Sequence, residues 1–286
     1  MNLKFKSITG FLTFFIVLLT MPIGHAIMVL VQIIFGEFYQ FPAAILLGLV
    51  GFIFLMVGMG KENETTATWY GFFSGLFLWT GWVEFSFVYF AHHLNIPPEM
   101  VDGNIVTKPE YLILPSSIGL LLATGSFFFL NSQTRCRFFI WFHKNLKLNV
   151  KKISEKGISN VARITAIETI YVIWTFYVLL MIAYDPVLFG NYHWFTYCIF
   201  FGSLIWSVFL FLRLIRINKI ALAVRYAIPT VVIFWNSIEI LGRWNFFEEI
   251  WIMPEEYSLE LTLIFLAFII AFMISFFISK QDNKIV

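Results

Sequence analysis

Few residues in this 286-residue chain can do chemistry, and they lie in apolar surroundings. His25, Glu84, Glu168, Glu239 and Glu260 fall within or at the edge of long hydrophobic runs, and His92 and His93 close one of them. An ionisable side chain inside a membrane span is costly and normally faces the protein interior or water, so each is a functional candidate. Glu84 follows Trp79 and Trp82, and Glu239 follows Trp235. Two such carboxylates can bind a cation or share a proton. Joined by His25, His92 or His93, Glu84 offers a carboxylate–imidazole set suited to iron, copper, zinc or manganese. The deep tryptophans Trp79, Trp82 and Trp235 can wall a lipid, a quinone or an organic cation, because a desolvated ring face attracts positive charge.

Structural roles compete with these. Glu239 and Arg243 are spaced i, i+4 and can pair on one helix face. Glu84 can accept hydrogen bonds from neighbouring helices and act as glue. Other chemistry has no foothold: Gly-x-Ser-x-Gly, Walker A, GxGxxG, His-x-x-His and Glu-x-x-His are all missing. That argues against nucleotide binding and nucleophilic hydrolysis, and it identifies no cofactor beyond the metal ion that the His/Glu set can hold. Gly71-x-x-x-Gly75 has the small-residue spacing of a helix-packing surface. Cys136 lies in a basic loop and Cys198 in an apolar run, so no disulfide framework is expected.

The elements that must position these residues are membrane helices. Hydrophobic residues make up 60% of the chain and charged residues 13%, and the mean hydropathy is +0.83. Soluble domains run nearer about 45–50% apolar and about 25% charged. A net charge of +2 gives no reason to invoke nucleic acid. A span needs about 20 apolar residues. Eight runs qualify, at 8–35, 42–60, 68–94, 111–131, 162–184, 187–212, 222–247 and 257–279, and they predict an all-α polytopic membrane protein. Lys4 and Lys6 before an apolar run ending Gly24-His25-Ala26 imitate a signal peptide, but the run continues through Phe35, which favours an uncleaved first helix.

Cytoplasmic segments should be rich in Lys and Arg. With eight spans and both termini cytoplasmic, all of the 19 Lys and Arg residues except Lys108 and Arg243 fall inside. The opposite face collects Glu37, Glu99, Asp102, Glu110, Asp185, Glu248, Glu249, Glu255 and Glu256. In this topology His25, Glu84, Glu239 and Glu260 lie in the outer leaflet, and Glu168 lies towards the cytoplasm.

The chain also repeats itself. Phe35-Gly36-Glu37-Phe38-Tyr39-Gln40-Phe41 resembles Phe189-Gly190-Asn191-Tyr192-His193-Trp194-Phe195, and the same offset pairs Ile45 with Ile199 and Gly48 with Gly202. Trp79 and Glu84 echo Trp235 and Glu239 with slightly different spacing, and Pro109-Glu110-Tyr111 echoes Pro254-Glu255-Glu256-Tyr257. The expected organisation is a four-helix repeat over 1–131, a basic-aromatic interfacial linker over 132–161, and a second repeat over 162–286. An even number of spans per half makes the repeats parallel, related by an axis along the membrane normal.

Three functions fit this pattern. The first is a secondary transporter or permease of the plasma (inner) membrane, with a carboxylate-lined site at Glu84, Glu239, His25, Trp79, Trp82 and Trp235. The second is a membrane-embedded enzyme, metal-dependent through His25, Glu84, His92 and His93, acting on a lipid-soluble substrate. The third is a non-catalytic subunit of a membrane complex. The expected partner is the lipid bilayer, with further subunits or a second copy also compatible.

Overall fold

The computed structural model describes residues 8–101, 104–129, 145 and 160–282. Almost all of the 132–161 linker lies outside the described residues. Among the described residues, six helices are long and apolar enough to cross a membrane: α1 (Ile8–Gly36), α2 (Phe38–Met59), α7 (Val161–Tyr184), α8 (Trp194–Leu214), α9 (Ile220–Arg243) and α10 (Ser258–Phe277 within Ser258–Asp282). Two further helical stretches are interrupted. The first runs through α3 (Glu64–Leu78), a π-helix (Trp79–Glu84) and α4 (Phe85–His93). The second runs through α5 (Pro109–Ile113), a 3-10 turn (Leu114–Ser117) and α6 (Ile118–Phe129). Pro115 begins that 3-10 turn's irregularity because it has no N–H to give.

The break between the first two spans falls at Gly36, not at Phe41-Pro42. Gly36 takes φ 60°, ψ −174°, a conformation open to glycine, and α2 starts at Phe38. Pro42 then falls at the fifth position of α2, just past the first turn, where it forgoes one i→i−4 hydrogen bond. A short antiparallel hairpin, β1 (Glu99–Val101) with β2 (Asn104–Thr107), precedes α5. The hydropathy pattern gave no sign of it, since the strands are only three and four residues long. Thr107 ties it by donating from Oγ1 to Glu99 Oε2 at 2.6 Å.

The chain divides into two compact units. Met1–Ala43 with Phe189–Val286 holds α1, α8, α9 and α10; Ala44–Leu188 holds most of α2, then α3 to α7. In the first unit α9 is the central helix, buried along most of its length, while α10 is largely exposed apolar surface. In the second, α3 lies along α7. Gly75 permits this contact, because a Cβ there would come within 2.8 Å of Ala166 O and of Thr169 Cβ. Gly71 meets Ala162 in the same way. Some hydroxyls within the helices are satisfied locally: Thr169, Thr175 and Thr230 each donate to the carbonyl four residues earlier.

Two helix ends are closed by the same device. After α4, Asn95 turns left-handed at φ 50°, with Asn95 N–H donating to His92 O and Ile96 N–H to Ala91 O. After α9, Asn245 turns at φ 57°, with Asn245 N–H donating to Gly242 O and Phe246 N–H to Leu241 O. Each is a Schellman motif with asparagine at the left-handed position.

Candidate functional site

In each unit a glutamate lies among aromatic side chains. In the first unit α9 carries Trp235 and Glu239 one helical turn apart, on one face. Trp235 donates from Nε1 to Glu239 Oε1 at 2.6 Å. His25 reaches the same oxygen from α1, with Nε2 at 3.4 Å, and the His25 and Glu239 side chains are 13% and 17% exposed. The imidazole stacks on Trp235, with centroids 6.0 Å apart. Trp251, from the segment after α9, closes over both rings, at 4.9 Å from Trp235 and 6.5 Å from His25.

One turn further along α9 lies a second polar group. Arg243 donates from Nε to Asn191 Oδ1 at 3.0 Å, and Trp244 donates from Nε1 to Asn191 O at 2.8 Å. Glu249 folds back onto Gly242, where an added Cβ would lie 2.8 Å from Glu249 Cγ. Burial pushes the Glu249 carboxyl above its ordinary value, against the opposing pull of Arg243 and a hydrogen bond with Trp251.

In the second unit the π-helix carries Trp79 and Glu84, both buried. Bonds from i to i+5 bring the Trp79–Glu84 spacing onto one face, as the i+4 spacing does in α9. Tyr111, from α5, donates its hydroxyl to Glu84 Oε1 at 3.5 Å. Tyr177 of α7 links the rings, 6.2 Å from Tyr111 and 6.1 Å from Trp79. Trp174 lies 6.5 Å from Trp79 and donates from Nε1 to Ser117 Oγ at 2.8 Å. Glu110 is buried nearby as a like-charged neighbour of Glu84, and Lys108 supplies an opposite charge.

Trp82 is placed elsewhere. It is 41% exposed where Trp79 is 3%, it covers Gly48, and it donates from Nε1 to Ile45 O at 3.2 Å. His92 and His93 are exposed on α4, where His93 stacks on Tyr89 at 5.8 Å. Among the described residues no group of three or more His, Cys, Asp or Glu converges as a metal centre. Glu168 is buried in α7, and Glu260 is exposed near the start of α10.

Sequence reasoning missed Trp251, Asn191, Glu249 and Tyr177. Tyr111 was flagged as a repeated landmark but not as a partner of Glu84. No protein-family model, curated protein or solved structure matches the chain. Fold and composition alone therefore define the class: a multi-pass membrane protein of long apolar helices.

Proposed function

We propose that the protein is a secondary transporter of eight spans, built from two parallel four-helix repeats, with Glu239 and Glu84 as equivalent carboxylates in the outer half of the membrane. The observation that carries this reading is the recurrence, once in each unit, of a tryptophan and a glutamate on one face of a helix, each glutamate taking a hydrogen bond from an aromatic side chain.

The differing sequence offsets have a structural counterpart. The first repeat has one more residue between tryptophan and glutamate, and a π-helix is the way a helix absorbs one residue while keeping both on a face. Other local features recur. Gly36 (φ 60°) and Gly190 (φ 97°) occupy the matched Phe-Gly positions, and Asn95 and Asn245 close the third helix of each repeat. Trp82 donates to Ile45 O and Ser237 Oγ to Phe200 O, each across 37 residues. The compact units add support. Counting spans in chain order, one unit takes the first helix of repeat one with the last three of repeat two, and the other takes the complement. Each unit thus has one helix for every repeat position, with the first helices exchanged.

Parallel repeats with carboxylates deep in the membrane suit transport coupled to a cation. His25 with Glu239 is an imidazole–carboxylate pair able to take up and release a proton, which makes the proton the coupling ion of this reading. The positive-inside pattern supports cytoplasmic termini in this reading. The test is proton uptake by purified protein in liposomes loaded with a pH-sensitive dye and driven by a potassium diffusion potential. Uptake above protein-free liposomes is expected, and none at any driving force overturns the reading.

A further inference from the structure

We infer that residues 245–253 form a strap that gates access to the His25–Glu239 pair from the Arg243 end of α9, with Trp251 as its plug. The inference rests on the proposed site in the first unit but not on transport itself. Three observations support it.

The strap is anchored at both ends rather than by continuous helix. Asn245 turns the chain sharply out of α9, and Tyr257, just before α10, donates its hydroxyl to Glu248. Between these points only Ile250–Ile252 has regular structure, a single 3-10 turn.

The middle of the strap is seated on α9 at a position that only glycine provides. Glu249 occupies the space a Cβ on Gly242 would need. The seat is reinforced by the charge of Arg243 and by the hydrogen bond between Glu249 and Trp251. Arg243 is itself steadied by Asn191.

The buried face of the strap is Trp251 alone among its large apolar side chains. Trp251 is 7% exposed and packs on Trp235 and His25, while Phe246 is 73%, Ile252 41% and Met253 36% exposed. A segment with one buried anchor and few backbone bonds belongs to the low-stability end of a fold and opens locally.

The test is carbethoxylation of native histidines by diethyl pyrocarbonate, followed by peptide mass spectrometry of full-length protein in detergent. His92 and His93 are exposed and report the second unit, and half-buried His193, which caps α8 by accepting from Phe195 N–H, reports the first. His25 should react slowly in the unsubstituted protein. Trp251→Ala or Gly242→Ala should raise the His25 rate about tenfold while the other three rates hold, the signature of a local opening made easier. Trp251→Phe keeps a ring over the pair and should leave His25 protected. If Trp251→Ala does not fold, Gly242→Ala is read in its place. An unchanged His25 rate in the folded variants overturns the strap, and so does a rise shared with His193, which reports general loosening. Neither result bears on proton uptake, so the two readings fail separately.

Discussion

Glu239 and Glu84 each share a helix face with a tryptophan but have unlike company. Glu239 faces a basic ring, His25, and an indole N–H. Glu84 faces a phenol, Tyr111, and a second buried acid, Glu110. The helix supplying the cross-contact also differs: α1 brings a histidine to Trp235, whereas α7 brings Tyr177 and Trp174 to Trp79. The two glutamates thus sit in unlike settings, one against an imidazole and one beside a second buried acid with Lys108 as the opposing charge. Under the transport reading this asymmetry divides labour between a proton-exchanging pair and a second carboxylate site.

The largest expected effect separates the matched glycines. Gly48 has the Trp82 ring pressed on it, whereas Gly202 has nothing within 4 Å. Gly48→Ala should displace Trp82 and its bond to Ile45 O, costing about 1–3 kcal/mol. Gly202→Ala should leave stability unchanged or raise it by up to about 1 kcal/mol, since alanine suits a helix better. Thermal unfolding in detergent compares them; equal losses would break the contrast.

The glutamates' partners come next. His25→Ala leaves Glu239 with a partner lost, and Tyr111→Phe does the same to Glu84. Each should cost about 1–2 kcal/mol, the range for a polar group left short of a bond. A smaller loss for Tyr111→Phe is expected, because its bond is 3.5 Å long. A silent His25→Ala would make the His25–Glu239 contact incidental.

The π-helix provides a subtler comparison. Deleting Thr80 should convert Trp79–Glu84 to the i, i+4 spacing of α9 and be tolerated at about 1 kcal/mol or less, because the flanking α3 and α4 keep their phase. Inserting one alanine between Trp235 and Glu239 should force the reverse conversion. If the deletion unfolds the protein, the one-residue explanation is wrong.

The smallest effect is a pH slope. The Glu249 carboxyl is raised by burial, so its contribution to stability is fully present below the ordinary carboxylate value of 4.5 and is lost as pH rises through its folded value. Glu249→Gln should flatten that decline in the melting temperature, and an unchanged profile would place the slope elsewhere.

The helices were legible because span length and hydrophobicity are strong signals. Their ends were less so: the break expected at Phe41-Pro42 falls at Gly36, and the helix expected to run to 247 ends at Arg243. The interruptions were not legible. A π-helix over Trp79–Glu84 leaves no mark in hydropathy, and the only hint was the Trp79–Glu84 spacing being one residue longer than Trp235–Glu239. His25 and Glu239 were identified singly, but their contact joins residues remote in sequence. Trp82 was misjudged as a neighbour of Glu84 because adjacent residues on a helix point in different directions. Trp251 and Glu249 lay in an irregular acidic stretch that reads as a solvated rim.

The most direct test of twin carboxylate sites is proton uptake by liposomes carrying the unsubstituted protein, Glu84→Gln, Glu239→Gln and the double variant, each verified as folded. Two sites serving one transport cycle predict that either single substitution abolishes uptake and that the double variant adds nothing further. Unaltered uptake in both single variants would contradict the assignment.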